Sequence, residues 1–495
     1  YRPVVLRLRF GTSNIIDDSW ITLVMARNFA RGLGLVFNAG ERVLATSAPL
    51  YAVALGALGF VFRSNNIPWI AVGVNVCCDL ATYWLLHAWL SAASGSRRLA
   101  TACALLFALN QRVIEYSSGG KDSAPYLLLI IAAFYALENG RLDRLGVLLG
   151  LTAAFRPDGA LLSAAVLPAM MMRRRPLRRT VLIAAATALP LIAVCAWYYG
   201  TAIPNTVISK WSIPLQRASK FGYLMDFFAQ PTLSLYGGVL MDFAAWVRKA
   251  PSPMLAIFLP LCVLQIGLSV WAAAKLARDS DGVLAACFFL PIYFVAFVLG
   301  GAWEFGWYRV PLEPLWNSAL AAAFWFLIRG DLRPRLMQGV FALLIAAQAT
   351  HILFAGKRWL LLRDHWDKSR ERATERACSV IEARGLARTD TVLSHIPGVP
   401  GWLLKARVVD TWGQIYPDAI RYHQGAYPGR GVFWYVMPVS LVLDLKPRYF
   451  IVPEPVIAAS CLGDARFLRE YALIDSGEFL GSPYYFRINI YERRP

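Results

Sequence analysis

Apolar residues fall along this chain in long blocks. Runs suited to crossing a bilayer lie at about Ile67 to Leu90, Leu99 to Ala108, Ala124 to Leu137, Thr180 to Tyr198, Met254 to Leu276, Val283 to Gly300, Leu312 to Ile328 and Leu336 to Ala355, several of them short. Between Leu145 and Met172 the apolar stretch is interrupted by Phe155-Arg156-Pro157-Asp158-Gly159. Proline removes a backbone donor and two charges cannot face lipid, so this pattern predicts two shorter helices meeting at a polar break, in a cavity lined by protein or water. Pro49 to Phe62 is apolar but short; laid flat at the membrane surface, it leaves the later loops on consistent sides. Trp20, Leu23 and Val24 alternate at helical spacing with Arg27 and Arg31, a pattern also suited to a membrane interface. From about Arg358 the sequence becomes mixed and polar. Strand-like Thr391-Val392-Leu393, Arg407-Val408-Val409 and Tyr449-Phe450-Ile451-Val452 accompany a helical Glu371 to Arg384, predicting an α/β domain of roughly 130 residues. The expected division is a membrane domain over residues 1–357 and a soluble domain over residues 358–495.

Composition agrees with a polytopic membrane protein: 57% of residues are hydrophobic, 16% are charged, and the mean hydropathy is +0.47. The net charge of +19 sits in short clusters between the apolar runs, which is where positive-inside loops place it, and this argues against a nucleic-acid partner. Arg97-Arg98, Arg141 with Arg144, Arg173 to Arg179, Lys275 with Arg278, and Arg329 with Arg333 and Arg335 share one side if the runs alternate. That side is cytoplasmic. Asp17-Asp18, the loop Asn110 to Ser123, the Arg156-Asp158 break, the long loop Gly200 to Lys249, the loop Trp303 to Glu313 and the soluble domain then face out. Six of the eight cysteines lie in apolar runs without ligand spacing. Cys378 and Cys461 lie in soluble sequence, as one disulfide or as separate structural residues. The piece from Tyr1 to Ile16 reads as the remnant of a first spanning helix, with no signal peptide.

An enzyme facing away from the cytoplasm lacks nucleotide-sugar substrates and must use an activated group delivered on a membrane lipid. Such transfer needs a carboxylate to deprotonate the acceptor hydroxyl, cations for the leaving phosphate and an apolar groove for the lipid. Asp17, Asp18 and Asp122 supply acids on the outer side, and Arg156, Lys210 and Arg309 supply cations. Neighbouring acids at a membrane edge are costly to bury, which marks Asp17-Asp18 as a site, although Asp followed by Ser also suits a helix cap.

Asp17-Asp18-Ser19-Trp20-Ile21-Thr22, followed by Ala26 through Val43, resembles the first outer loop of bacterial GT-C glycosyltransferases. More narrowly, it resembles the mycobacterial-type arabinofuranosyltransferases that use decaprenyl-phosphate arabinose. Gly120-Lys121-Asp122-Ser123-Ala124-Pro125-Tyr126, Arg156-Pro157-Asp158-Gly159, Pro204-Asn205-Thr206 with Lys210, Trp307-Tyr308-Arg309-Val310-Pro311 and Val409-Asp410-Thr411-Trp412-Gly413 continue the resemblance in order over nearly the whole chain. Lys121 departs from it where an apolar residue is expected, Asp122 replaces a glutamate, and Ser394-His395-Ile396 replaces a more acidic pattern.

The resemblance implies a polytopic α-helical protein of GT-C type, with about 11 transmembrane helices, the first truncated, and a C-terminal extracytoplasmic α/β domain. It places the chain in a bacterial plasma membrane and implies transfer of a sugar from a polyprenyl-phosphate donor to a glycan or glycoprotein acceptor. It implies Asp17 as base, with Asp18 and Asp122 positioning hydroxyls; the residues alone do not choose between Asp17 and Asp18. Lys210, Arg309, Arg156 and Asn205 are assigned to the donor and its phosphate, while Arg156 pairing with Asp158 and a simple turn at Asn205 stand as alternatives. Trp412 and Tyr416 are assigned to acceptor stacking, against aromatic core packing. No cofactor is required, and three scattered acids without histidine spacing do not call for a metal. A hexose or mannose donor is the alternative within the fold. A lipid-linked-sugar transporter with Arg156 and Asp158 on its path is the alternative outside it.

Overall fold

The computed structural model describes residues 15, 17–212, 253–299, 306–329, 339, 370–423, 437–481 and 484–495. Its first part is helical: α1 (Asp17–Ala30), α2 (Pro49–Val61), α3 (Ile67–Ser94), α4 (Arg97–Ala108), α5 (Gln111–Ser118), α6 (Ser123–Glu138), α7 (Leu142–Phe155), α8 (Ala160–Met172), α9 (Arg178–Tyr199), α10 (Asn205–Ser212), α11 (Pro253–Ala277), α12 (Asp281–Leu299) and α13 (Glu313–Arg329). Among the described residues, α3 and α9 are long and apolar enough to cross a bilayer. At about 1.5 Å per residue they rise roughly 42 and 33 Å, against about 30 Å of hydrocarbon. They also expose what water would exclude: Trp84 and Trp197 are 72% and 81% exposed, with Leu80, Leu182, Leu189 and Val194 also uncovered. An apolar belt of this extent is a lipid-facing surface. The expected run Leu336 to Ala355 lies outside the described residues, as does the boundary near residue 357.

The polar break forms as its residues dictate. The α7 helix stops at Phe155, Arg156 is extended (φ −147°, ψ 144°), Pro157–Gly159 makes one 3-10 turn, and α8 resumes at Ala160. Gly159 is needed because a Cβ there would lie 2.0 Å from the Thr152 carbonyl oxygen.

The arginine clusters gather at the opposite end. Asp281 pairs with Arg175 at 2.9 Å and Arg173 at 3.1 Å, and Arg173 also donates to the Ala277 and Arg278 carbonyls. Glu138 accepts from Ser280 Oγ at 2.5 Å and the Gly282 amide at 2.9 Å, while Arg179 reaches Asp143 at 2.7 Å. Three of the loops expected on one side, those carrying Glu138 to Asp143, Arg173 to Arg179 and Lys275 to Gly282, therefore form one surface, while Arg333 and Arg335 lie outside the described residues.

The C-terminal part comprises α14 (Arg370–Ala383), β1 (Thr391–Ser394), α15 (Gly398–Leu403), β2 (Arg407–Asp410), α16 (Ala419–Tyr422), α17 (Val439–Leu445), β3 (Tyr449–Pro453), α18 (Glu454–Ser460), α19 (Ala465–Glu470), β4 (Tyr471–Gly481) and β5 (Tyr484–Arg493). The sheet order is β2-β1-β3-β5-β4, with β1 parallel to β2 and β3 and the β5 pairs antiparallel. Period-two alternation splits the core. Val392, Val408, Tyr449 and Ile451 face a cluster continuous with the membrane helices, whereas Leu393, Val409, Phe450 and Val452 face a separate one. The strands β4 and β5 were not among the expected elements.

One expectation needs correction. Trp20, Leu23 and Val24 do not meet a membrane interface: they are fully buried in protein, where α1 packs between α2 and α15. An amphipathic helix presents the same pattern to lipid and to another domain, so periodicity could not separate the two. Of the two alternatives for Cys378 and Cys461 the structure has the unpaired one: both are free and buried, and burial pushes the Cys461 thiol up to about 12.

Candidate active site

Arg156 is the centre of the polar cluster. Its extended backbone at the broken helix turns the guanidinium inward, where Nη1 donates to Asp122 Oδ2 at 2.7 Å and Nε and Nη2 donate to Asp158 at 2.9 and 3.3 Å. Its Cζ lies 4.9 Å from the Tyr126 ring centroid and 5.3 Å from that of Tyr308. Tyr293 from α12 donates to Asp158 at 3.1 Å. A buried guanidinium needs this many partners, because desolvation must be offset by charge and by hydrogen bonds. Asp122 opens α6 but makes no side-chain cap bond. Burial opposes its charge, yet Arg156 and Lys121 hold its carboxyl below the ordinary value.

The turn that carries Asp122 is held from α3. Asn75 Nδ2 donates to the Ser117 and Lys121 carbonyls at 2.9 and 2.8 Å, and its Oδ1 accepts from the Tyr51 hydroxyl at 2.9 Å. Gly120 takes φ +71° in this turn, a conformation that favours glycine. Lys121 then points its ammonium between two acids, 3.7 Å from Asp122 Oδ1 and 4.0 Å from Asp18 Oδ2, and 4.8 Å from the Trp307 ring. The Asp18 side chain is 27% exposed against 4% for Asp122, so of these two only Asp18 is open to an incoming hydroxyl. Asp17 is the first residue of α1; its side chain lies outside the described residues.

The donor-side candidates meet the same aromatic pair. Lys210 on α10 lies 3.3 Å from the Tyr308 hydroxyl, with its ammonium 5.7 and 5.5 Å from the Trp307 and Tyr308 rings. Asn205 opens α10 and is tied through its amide to the Leu44 carbonyl at 2.8 Å. Arg309 is buried in the turn before α13. Asp18, Asp122, Arg156 and Lys210 thus share one cluster, and Arg309 directly follows Tyr308 in the chain. Among the described residues no group of three His, Cys, Asp or Glu is disposed to hold a metal ion.

Trp412 and Tyr416 sit elsewhere, in the α/β domain after β2. Trp412 is buried, stacked on His423 at 5.8 Å with 7° between planes and tilted against His395 at 4.9 Å, which is aromatic packing. Tyr416 is half-buried with Arg407 5.4 Å from its ring. Their loop is folded by Asp410, whose carboxylate accepts from the amides of Trp412, Gln414, Ile415 and Tyr416. Burial pushes that carboxyl up to about 6 against those four donors.

Asp158 takes the pairing with Arg156 that stood as an alternative, and residues outside the sequence-derived candidates complete the cluster: Lys121, Asn75, Tyr293, Trp307 and Tyr308. A lone asparagine inside an apolar run was the available signal for Asn75, since polar groups in a membrane helix are retained for a partner. Tyr293 carries no such mark, because an aromatic in an apolar run is unremarked until its hydroxyl finds Asp158.

No protein-family model matches the chain. ArnT from Cupriavidus metallidurans in the apo state covers 98% of this chain and 96% of its own, with a TM-score of 0.57 and 12% identity. The same protein bound to undecaprenyl phosphate covers 99% and 97%, with a TM-score of 0.53 and 13% identity. The chain has a GT-C fold. It is also arabinofuranosyltransferase-like in sequence. It is 25% identical over 273 residues to the terminal β-(1→2)-arabinofuranosyltransferase of Mycobacterium tuberculosis (strain ATCC 25618 / H37Rv), over 50% of this chain and 43% of that protein. The chain therefore spans less than half the length of that relative. The GT-C fold makes it a polytopic membrane protein, in agreement with the apolar belt on α3 and α9.

Proposed function

We propose that this GT-C protein is a glycosyltransferase that moves a sugar, arabinofuranose, from a polyprenyl phosphate to a cell-envelope glycan or glycoprotein acceptor on the extracytoplasmic side. The observation that carries the reading is the polar cluster opposite the arginine-rich end, in which Lys121, Arg156 and Lys210 converge on Trp307 and Tyr308 and Asp18 and Asp122 pair with those cations. An acid open to solvent beside an aromatic wall and cations is what transfer from a lipid phosphate requires. In the reaction an acceptor hydroxyl oxygen forms a bond to the sugar C1 and the C1–O bond to the phosphate breaks. The hydroxyl proton passes to a carboxylate of the Asp17-Asp18 pair, and the bonding electrons leave on the polyprenyl phosphate.

The residues divide this work by exposure. Asp122 is spent on Arg156 and Lys121, and Arg156 on Asp122 and Asp158, so they shape the site. Lys210 and Arg309 are assigned to the leaving phosphate, where an ammonium and a guanidinium stabilise the added charge. Sequence likeness to the arabinofuranosyltransferase supports the donor sugar, and the undecaprenyl phosphate bound by ArnT supports the lipid.

The test is transfer of labelled arabinose from decaprenyl-phosphate arabinofuranose to oligoarabinoside acceptors by the purified chain, beside a mannose-phosphate lipid. Arabinose transfer, reduced about 100-fold or more in Asp17→Asn or Asp18→Asn, is expected. Mannose transfer alone would move the donor sugar, and no transfer from either lipid by folded protein would end the transferase reading.

A further inference from the structure

The strand β2 is an edge of its sheet, yet its open side is occupied. Asn38 Nδ2 donates to the Val408 carbonyl at 2.8 Å and the Val408 amide donates to Asn38 Oδ1 at 3.2 Å, so one side-chain amide makes the pair of bonds that a further strand would make. The loop that presents Asn38 is fixed at both ends. Asn28 on α1 donates to the Val36 and Phe37 carbonyls at 2.9 and 2.8 Å, and Glu41 pairs with Arg407 of β2.

A second contact lies along α1 itself. Arg27 donates to the Trp402 and Gly401 carbonyls of α15 at 2.5 and 3.1 Å, with its Cζ 4.6 Å from the Trp402 ring. That ring packs 5.1 Å from Trp20, and Trp20 is within one turn of Asp17 and Asp18. Gly401 meets Phe37 so closely that a Cβ there would stand 2.1 Å from the ring Cζ.

Every membrane-side residue in these contacts belongs to α1 or to the loop directly after it, and α1 begins with the acidic pair. We infer that the α/β domain is a clamp that sets the position of Asp17 and Asp18, with Gly401, Trp402 and the β2 edge as positioning elements rather than catalytic ones. The inference rests on the transferase reading for its consequence, but not for the clamp itself. A helix carrying two neighbouring acids repels its own charges at that end, and rigid docking further along fixes the start of α1, where Asp18 stands 4.0 Å from Lys121.

The experiment uses the full chain in detergent or nanodiscs. Gly401→Ala places a methyl against Phe37 without backbone strain, since Gly401 has no positive φ. Amide exchange across Asp17–Ala30 is expected to rise about tenfold, and kcat to fall about tenfold with the donor KM within about twofold, because the acid rather than the donor site is displaced. Adding Phe37→Leu, which removes the obstructing ring atoms, restores both. Asn38→Ala, which leaves the α15 contact alone, moves both readouts in the same direction as Gly401→Ala. Unchanged exchange in Gly401→Ala and Asn38→Ala overturns the clamp. Raised exchange with unchanged kcat overturns the positioning role, as does a loss of kcat that Phe37→Leu fails to restore. Absence of transfer by the unaltered chain overturns the transferase reading, while exchange still decides the clamp.

Discussion

Replacing Arg156 with methionine tests whether the centre of the cluster is held by charge. The guanidinium makes three charge-assisted hydrogen bonds, one to Asp122 and two to Asp158, whose side chains are 4% and 13% exposed. Methionine fills much of the volume but leaves two carboxylates without their main counter-charge. Breaking one partner of a buried pair costs about 3–5 kcal/mol. Lys121 still lies 3.7 Å from Asp122, and Tyr293 still donates to Asp158, which sets the expectation at the lower end, about 3 kcal/mol. Denaturant titration of the full chain in detergent, followed by the fluorescence of its 17 tryptophans, measures this loss. The double change Arg156→Met/Asp122→Asn removes one stranded charge and is expected to regain about 1 kcal/mol or more relative to the single change. A single-variant loss under about 1 kcal/mol, the range of an exposed pair, would refute the argument, as would strict additivity in the double variant.

Two further outcomes follow from the same geometry. Asn75→Leu strips partners from the Ser117 and Lys121 carbonyls and from the Tyr51 hydroxyl, so Tm should fall with a loss of about 1–3 kcal/mol, and transfer should fall with it because the displaced turn carries Lys121 and Asp122. His423 is buried, which holds its imidazole below the ordinary 6.5. Its neutral form is favoured in the folded chain, so its stabilisation is full above pH 6.5 and is lost as pH falls below that value. The Tm of the full chain between about pH 8 and about pH 5 should show this loss, and His423→Gln should make the decline shallower.

Local chemistry was legible in the sequence wherever the near neighbours along the chain decide it. Phe155-Arg156-Pro157-Asp158-Gly159 had to break its helix, because proline cannot donate there and Gly159 alone fits against the Thr152 carbonyl. The apolar runs and the arginine clusters between them set the helices and their alternation, since lipid admits no unsatisfied backbone and the Arg173 to Arg179 cluster meets the loop after Lys275 and Asp143 at one end. Thr391-Val392-Leu393, Arg407-Val408-Val409 and Tyr449-Phe450-Ile451-Val452 announced strands as short runs rich in β-branched and aromatic residues. What a residue faces was a different matter. The stripe Trp20, Leu23, Val24 and Arg27 suits lipid and protein equally, and only the packing of α15 decides for protein. Arg156 looked equally able to bind phosphate or plug a helix, until Asp122, 34 residues earlier, closed on it from the other side. Lys121 and Tyr293 became part of the cluster through partners on other helices. Sequence by itself determined the membrane class, the broken helix and the acidic and basic residues available at the end away from the arginine clusters. The tertiary structure decided which of those charges neutralise one another and which stay open, because charge pairing depends on distances between segments that periodicity does not contain.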